Sequence, residues 1–368
     1  VVGAGAAGLC AARHVLSRPG CFAPPVVFEL SDSVGGTWCY DERVGTYDSG
    51  RPVHSSMYRD LTNLPKEVMM FPDFPFDPQL SSFLPHQEVQ RYLERYCQSH
   101  GIRPHIRFNT TVESVKPIVV TAEGEEERTA WEVTSSDLSG RQKTETFDSV
   151  FVCSTVLHSH SYRFAEPFSG QSVVVLGAKA SGLDISIELA KVGAQRFQDG
   201  SVTEADVLMF CTGYNFRFPF LDAAQLGLEI QDHMISPLYR FMVPPAFPSL
   251  FFIGICKIIC PFPNFNCQVQ FALAVLAGSV TLPTRAQMED EVRRELQVKL
   301  ERGVQHRHLL ILDQDQWEYC NMLSRSAGFS PLPPVIRSLF EEVHQQRQIH
   351  PENYRKLNYR LISDTQWE

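Results

Sequence analysis

Two glycine-rich turns, each between a short apolar run and a helical segment, predict an α/β protein with two Rossmann-like dinucleotide-binding units. The first turn is Val1-Val-Gly-Ala-Gly-Ala-Ala-Gly-Leu9, and the second is Val173-Val-Val-Leu-Gly-Ala-Lys-Ala-Ser-Gly-Leu-Asp184. The second unit is predicted to be incomplete, because few residues lie between its glycine-rich turn and the next predicted strand. Amphipathic periodicity within residues 285–350, for instance Glu289 to Arg302, adds a helical C-terminal region that covers the core.

The bulk composition is that of a globular chain. A length of 368 residues suggests about two domains, since domains usually span ~100–200 residues. Hydrophobic residues make up 43% of the chain and charged residues 20%. The net charge of -9, without a run of Lys or Arg, disfavours nucleic acid and anionic membranes as partners.

The 10 cysteines are scattered along the chain, which indicates reduced thiols in a reducing compartment. We therefore expect a cytoplasmic protein, with peripheral attachment to the endoplasmic reticulum as the alternative. No apolar stretch reaches the ~18 residues that a transmembrane helix needs. Cys256 and Cys260 have apolar neighbours and are expected to be buried thiols.

Metal binding is not expected. The pairs His158/His160 and His306/His308 lack cysteine or carboxylate partners at metal-ligand spacing.

Each glycine of the first turn has a physical role. Gly3 allows a tight turn, Gly5 lets the backbone approach a pyrophosphate, and Gly8 lets the following helix pack closely. That helix, predicted from Ala7 to Ser17, directs its free N–H groups and positive dipole at the anion.

An acidic residue completes the first unit. Val26-Val-Phe-Glu29 is predicted to be a strand that ends in a carboxylate. Glu29 can accept hydrogen bonds from ribose hydroxyls and would repel a 2′-phosphate, so this unit favours FAD or NAD over NADP. In Ser33-Val-Gly-Gly-Thr-Trp38, the adjacent Gly35 and Gly36 allow another backbone to lie against the cofactor, although an ordinary turn is the simpler interpretation.

The second turn aligns with the first, with Gly177 on Gly3 and Gly182 on Gly8. Lys179 occupies the middle-glycine position, where its side chain would obstruct a pyrophosphate; the alternative is that it points outward and pairs with a phosphate. A helix from Leu183 to about Lys191 leads to a turn at residues 197–201 and a strand within residues 205–211. One βαβ unit takes ~30 residues, so the segment from Val173 to Cys211 has room for one such unit but not for a complete βαβαβ half. The strand that would carry adenosine specificity is therefore predicted to be absent.

Three further segments resemble the flavin-containing monooxygenase family. They are residues 61–76 (LTNLPKEVMMFPDFPF), residues 157–163 (LHSHSYR) and residues 210–214 (FCTGY). The soluble glucosinolate S-oxygenase-like branch is the most similar, partly through residues 252–256 (FIGIC) and 260–263 (CPFP). The resemblance covers nearly all of residues 1–330.

The resemblance implies FAD and NADPH as cofactors and assigns residues to them. Asn63 corresponds to the active-site asparagine beside the flavin ring, and His158, Tyr162 and Arg163 match the family's identifying sequence. The implied FAD-binding residues are Gly3, Gly5, Gly8, Glu29, Gly35, Gly36 and Trp38. The implied NADPH-binding residues are Gly177, Ser181 and Gly182.

The implied reaction is oxygenation of a nucleophilic sulfur or nitrogen atom of a small molecule by O2 through a flavin peroxide, with NADPH as reductant. The implied FAD-binding domain comprises residues 1–155 and 207–368, and residues 156–206 are a remnant of the NADPH-binding domain. The oligomeric state is left open.

Departures from the family pattern keep an alternative open. The Phe-x-Gly that normally precedes the family's histidine is missing, as is the middle of the NADPH unit after Ala194. The chain is therefore expected to be truncated or internally deleted, and a degenerate FAD-binding pseudoenzyme is the alternative. A pyridine nucleotide–disulfide reductase is disfavoured, because Cys10, Cys21 and Cys39 lack the close spacing of a redox pair.

Overall fold

The computed structural model describes residues 1–43, 61–121, 127–153, 165–176, 180–191, 206–210, 216–231 and 233–368. Within these residues the α-helices are α1 (Ala6–Leu16), α2 (Lys66–Met69), α3 (His86–Ser99), α4 (Ala180–Lys191), α5 (Pro261–Leu276), α6 (Arg285–Glu301), α7 (Gln316–Ala327) and α8 (Pro334–Ile349). The strands are β1 (Val27–Phe28), β2 (Ile106–Arg107), β3 (Thr111–Val120), β4 (Arg128–Ser136), β5 (Gln142–Phe147), β6 (Val150–Val152), β7 (Val173–Leu176), β8 (Val207–Phe210), β9 (Glu229–Gln231), β10 (Met234–Ser236) and β11 (Leu250–Phe252).

A parallel sheet forms the centre of the first unit. Val2 makes parallel bridges to Phe28 of β1 and to Val152 of β6, so the start of the chain lies between these two strands. β2 pairs with the outer edge of β1, and β11 pairs with β6, all in parallel. Strands β1, β6 and β11 are apolar and buried, as expected for a parallel sheet with both faces covered.

Helix α1 begins within the first glycine turn, here defined as residues 3–8, and packs against α5. Its buried face is rich in alanine, which permits close approach to neighbouring elements. The helix spans Ala6–Leu16, one residue earlier at each end than predicted from the sequence. The predicted α/β fold is confirmed for this unit.

An antiparallel sheet of β3, β4 and β5 extends from the first unit, with β4 in the middle. Trp131 of β4 is fully buried and donates from Nε1 to Oγ of Ser249, at 3.0 Å. This bond joins the antiparallel sheet to the segment that precedes β11.

The second unit is small. β7 and β8 are parallel and adjacent, and α4 connects them in sequence. Their core contains the buried residues Ala165, Val173, Ile185 and Leu189. The predicted helix starts three residues earlier than expected, at Ala180, and the predicted strand is β8. The predicted turn at residues 197–201 lies outside the described residues.

The C-terminal helices have their own apolar cluster. Side chains of α8 and Tyr354 pack there with Val68 of α2 and with Phe83. The amphipathic helix expected at Glu289–Arg302 is α6, whose N-terminus carries a capping box between Thr284 and Gln287. Over the described part of the chain, no helix combines the length and apolarity needed to cross a bilayer.

Candidate active site

In the first glycine turn, the backbone of Gly8 in helix α1 lies directly against the backbone of Gly3. A Cβ atom on Gly8 would lie 1.8 Å from the carbonyl oxygen of Gly3, so only glycine fits between the turn and helix α1. Gly3 itself has a φ of 100°, a region that L-residues rarely adopt. The roles predicted for these two glycines are therefore present in the geometry.

A second glycine pair lies against the first turn. A Cβ on Gly36 would lie 3.0 Å from Cα of Gly5, and Gly35 donates its N–H to the carbonyl of Ala4, at 3.2 Å. Gly35 and Gly36 have φ values of 132° and 56°; Gly36 begins the 3-10 turn Gly36–Trp38, and Gly35 directly precedes it. What sequence alone treated as an ordinary turn is a close contact between two backbone segments.

Glu29 lies at the C-terminal end of β1 and is 8% exposed. Its Oε2 accepts a hydrogen bond from the backbone N–H of Ala4, at 2.6 Å. Its Oε1 accepts from the backbone N–H and the hydroxyl of Ser31, at 2.8 and 2.7 Å. The carboxylate is thus fixed beside the glycine turn.

This arrangement has the features of a dinucleotide site. No side chain caps the N-terminus of α1, so its first N–H groups are directed towards the glycine turn. The turn has no Cβ at its closest contacts, and a fixed carboxylate lies at the end of the adjacent strand. These residues can hold a pyrophosphate and a ribose, with no obstruction at the glycine positions.

The Asn63 loop, residues 61–66, lies next to the start of α3. Thr62 donates its N–H to the carbonyl of Leu84, at 2.8 Å, and Lys66 donates its N–H to the carbonyl of Ser82, at 2.7 Å. Both ends of the loop are thus hydrogen-bonded to residues 82–84, and Asn63, which is half-buried, lies between them.

The loop ends in a buried ion pair. Nζ of Lys66 lies 2.5 Å from Oε1 of Glu67, and the two side chains are 8% and 7% exposed. Ser82 donates its hydroxyl to the same Oε1, at 3.1 Å. Buried charges need such partners, so these contacts restrict the backbone that leads away from Asn63.

The phenylalanine-rich segment after the loop, residues 71–76, is packed against neighbouring aromatic rings. Phe71 and Phe76 are buried, and Phe71 stacks on Tyr96 and Phe262 with centroid distances of 4.5 and 5.0 Å. Phe262 belongs to α5, so this segment connects the Asn63 loop to the helix that packs on α1.

The candidate residues of the second glycine turn, residues 177–182, are only partly described. Ser181 and Gly182 lie in the first turn of α4. Gly177, Lys179, His158, His160, Tyr162 and Arg163 lie outside the described residues.

The described cysteines are free thiols, and six of them are buried. Cys256 and Cys260 are 5% and 1% exposed, which confirms the predicted burial. Burial raises the pKa of both thiols above the usual range of a cysteine. His306 and His308 lie in a short 3-10 turn, and no group of metal-binding residues converges in the chain outside the undescribed segments.

Sequence reasoning missed several residues that shape the site. Ala4 contributes only backbone groups, so its side chain gives no signal. Ser31, two residues after Glu29, could have been recognised as a local hydrogen-bond partner. Arg355 contacts the Asn63 loop from 293 residues away, which no local pattern predicts.

Comparison with known families decides the class. The family described as FMO-like, flavin-binding monooxygenase-like, matches residues 1–157 and 193–368. The chain belongs to this family. The resemblance expected from the sequence is therefore confirmed. Members use FAD and NADPH, so the predicted cofactors and the predicted enzyme class, an NADPH-dependent flavin monooxygenase, are confirmed at the level of the family.

Individual relatives are similar over nearly the whole of this monooxygenase-family chain. The Arabidopsis thaliana protein "Flavin-containing monooxygenase FMO GS-OX-like 4" is 32% identical, with 96% of this chain and 92% of the relative covered. The S-allyl-L-cysteine S-oxygenase of Allium sativum has a TM-score of 0.85 and 32% identity, covering 97% and 94% of the two chains. Tmm of Pelagibacter sp. has a TM-score of 0.80 and 27% identity, covering 97% and 92%.

The alignment also reveals missing segments. The aligned length with the Arabidopsis relative is 429 residues, which exceeds the 368 residues of this chain. The relative therefore contains internal segments that have no counterpart here. The family match itself omits residues 158–192, which include the second glycine turn and all of α4.

Proposed function

We propose that this protein is a flavin-dependent monooxygenase of small molecules with a soft nucleophilic sulfur or nitrogen atom. In the balanced reaction, substrate, O2, NADPH and a proton give the oxygenated substrate, water and NADP⁺. One oxygen atom enters a new S–O or N–O bond, and the other leaves as water with the two electrons of NADPH. The structural match to an S-oxygenase supports sulfur as the preferred atom.

The observation that carries this proposal is the complete first glycine turn beside a buried carboxylate. Bound FAD supplies the oxygen-activating chemistry. Backbone N–H groups at the start of α1 bind its pyrophosphate, and Gly5 and Gly36 provide the close backbone approach. Glu29 binds the ribose hydroxyls, with its orientation fixed by Ala4 and Ser31. Trp38 extends the same surface after Gly36.

Asn63 acts beside the flavin ring. A side-chain amide donates a hydrogen bond without being a strong acid, so it orients a polar oxygen while delivering no proton to it. The buried segments on both sides of the Asn63 loop hold this amide in place and exclude water. Gly177, together with Ser181 and Gly182 in the first turn of α4, binds NADPH in this proposal.

The domain division follows from the strand pairing. We assign residues 1–155 and 207–368 to a discontinuous FAD-binding domain, which the parallel pairing of β6 with β11 supports. Residues 156–206 form the remnant NADPH-binding domain, and the separate core around α4 supports such a unit, but the pairing of β8 (Val207–Phe210) with β7 favours a boundary after residue 210 rather than after residue 206. We propose the cytoplasm as the location, with peripheral attachment to the endoplasmic reticulum as the alternative; the free thiols fit the reducing compartment that both share. Fractionation of tagged protein tests that choice.

The test is Asn63→Ala in purified, FAD-loaded protein, with S-allyl-L-cysteine and a tertiary amine as probe substrates. We expect flavin content to be kept and formation of the S-oxide or N-oxide to fall by roughly a hundredfold, the cost typical of one lost hydrogen-bond donor at a reacting oxygen. NADPH consumption should continue, with the reducing equivalents recovered as H2O2.

Asn321→Ala is the matched control, because Asn321 is also half-buried but lies on α7. Unchanged oxygenation by Asn63→Ala would refute the role of Asn63. Absence of oxygenation and of NADPH-dependent flavin bleaching in the unmodified protein would instead favour the degenerate FAD-binding pseudoenzyme.

A further inference from the structure

The peptide group that joins Thr62 to Asn63 is contacted by a residue from the far end of the chain. Nε of Arg355 donates a hydrogen bond to the carbonyl oxygen of Thr62, at 3.0 Å. Arg355 lies in the 3-10 turn Tyr354–Lys356, after α8. A peptide group is planar, so fixing this carbonyl also fixes the N–H of Asn63 and the direction in which the chain enters that residue.

The remaining polar groups of Thr62 are already engaged. Its N–H donates to the carbonyl of Leu84, and its hydroxyl accepts from the N–H of Leu84, at 3.0 Å. Thr62 is 3% exposed. The bond from Arg355 therefore completes the hydrogen bonding of a buried residue directly before Asn63.

The same guanidinium reaches the second unit. Nη2 of Arg355 lies 3.0 Å from Oδ1 of Asp184, and Nη2 of Arg347 lies 3.6 Å from the same oxygen. The Asp184 side chain is 3% exposed, against 13% for Arg355. Asp184 belongs to α4, two residues after Gly182 of the second glycine turn. A buried ion pair of this kind depends strongly on its geometry, because a displaced partner leaves a desolvated charge.

A buried aromatic ring supports the guanidinium. The Arg355 guanidinium lies over the ring of Tyr354, 4.9 Å from its centroid, and Tyr354 is 1% exposed. Tyr354 packs edge-on against Phe83, whose neighbour Leu84 bonds to Thr62. The planar guanidinium is thus oriented towards both partners at once.

We propose that Arg355 is a positioning residue for Asn63, and that Asp184 makes this positioning depend on the helix that follows the second glycine turn. A displacement of α4 moves Asp184, then Arg355, and then the Thr62–Asn63 peptide. The second unit therefore controls the partition of activated oxygen between substrate and H2O2, even though it is remote in sequence. This inference rests on the proposed function only in placing Asn63 beside the flavin.

The experiment measures amide hydrogen exchange in the FAD-loaded protein for three variants. Arg355→Lys keeps a cation near Asp184 but removes the donor to Thr62, and Asp184→Asn removes the charge that holds the guanidinium. Arg360→Lys is the control, because Arg360 is exposed and pairs with Glu368 in the same C-terminal segment. We expect exchange in residues 61–66 at least tenfold faster in Arg355→Lys and several-fold faster in Asp184→Asn, with β11 and the control unchanged.

A second measurement separates positioning from general stability. The ratio of H2O2 formed to NADPH consumed should rise in both variants at a temperature where each is fully folded, since loss of a buried ionic partner also lowers the unfolding midpoint. Unchanged exchange of the Asn63 loop in Arg355→Lys or in Asp184→Asn overturns the proposal, as does acceleration spread over the whole protein. If Asn63→Ala leaves oxygenation intact, the proposed role of Asn63 fails, and if the unmodified protein does not oxygenate, the proposed function fails; in both cases loop exchange still decides the contact between Asp184, Arg355 and Thr62. If Asp184→Asn does not fold, Asp184→Glu, which keeps the charge but moves it, takes its place with the same expectation.

Discussion

The two glycine turns of this chain differ in what surrounds them. The first lies in a parallel sheet of four strands and Val2, beneath α1 and α5, in the main core of the protein. The second is followed by one helix between two strands, with a core of four buried residues. An isolated βαβ unit buries too little apolar surface to be stable alone.

The difference shows that a shared sequence motif does not provide a shared structural context. Around the first turn, Glu29 and the Gly36 backbone contact it on separate sides, and the family match covers the whole unit. The second unit depends instead on the ion pairs of Asp184 with Arg347 and Arg355 for its link to the C-terminal segment. Predictions about the first turn therefore concern packing and stability, and those about the second concern affinity.

The largest effect is expected at Gly8. In Gly8→Ala the new methyl group overlaps the carbonyl of Gly3, whose oxygen lies 1.8 Å from the ideal Cβ position, so α1 must move. Overpacking of this kind costs typically 1–3 kcal/mol, and contact with backbone places it at about 3 kcal/mol. We expect loss of bound flavin as well.

Urea unfolding and the flavin absorbance of the purified protein measure both losses. Gly20→Ala is the matched control, since nothing lies within 4 Å of a Cβ at that position just after α1. Retention of flavin and stability by Gly8→Ala would show that the first turn tolerates a displacement of α1.

The next prediction concerns how stability depends on pH, through a buried histidine at the contact between α1 and α5. His14 is buried, and its Nε2 bonds to Oδ1 of Asn266 at 2.7 Å, while Arg13 lies 2.9 Å from Nδ1. Burial, aided by the Arg13 charge, lowers the pKa of His14 from 6.5 to about 4. In the unfolded chain His14 takes up a proton as the pH falls below ~6.5, but in the folded protein it does so only near pH 4. Stability should therefore fall across that window and level off below it.

The comparison uses His14→Gln, which keeps a polar group opposite Asn266. Between pH 7 and pH 4.5 the unmodified protein should lose about 2 kcal/mol more of its unfolding free energy than this variant, since each pKa unit corresponds to ~1.4 kcal/mol. His306→Gln, at an exposed histidine, should behave like the unmodified protein. Parallel pH profiles for all three proteins would contradict the buried, neutral state of His14.

Local features were predictable from sequence, and contacts between distant segments were not. The glycine spacing, the position of Glu29 and the bounds of α1 follow from turn sterics and helical periodicity over a few residues. Helix α4 was placed three residues too late, because Ala180 and Ser181 were assigned to the turn rather than to the helix. The hydrogen bond from Arg355 to Thr62 spans 293 residues and depends on packing of the C-terminal cluster, so periodicity gives no sign of it. The roles of Asn63 and of the second turn came from family resemblance and stay predictions.

The last prediction compares the two turns by affinity: we expect this chain to bind NADPH more weakly, by roughly a hundredfold or more, than relatives that contain the missing segments. Lys179 replaces the glycine of closest backbone approach, and the sequence between α4 and β8, residues 192–206, is too short for a second crossover and strand. A 2′-phosphate thus loses charge-assisted hydrogen bonds worth ~1.5–3 kcal/mol each, and two such losses weaken binding by at least a hundredfold, since ~1.4 kcal/mol is tenfold.

Anaerobic titration of FAD-loaded protein with NADPH, monitored by flavin bleaching, measures this affinity, and dithionite bleaching shows that the flavin is reducible. Lys179→Gly should improve binding little, because the strand remains missing. Rapid bleaching at micromolar NADPH would show that one βαβ unit suffices and that the two turns, despite their different surroundings, bind equally well.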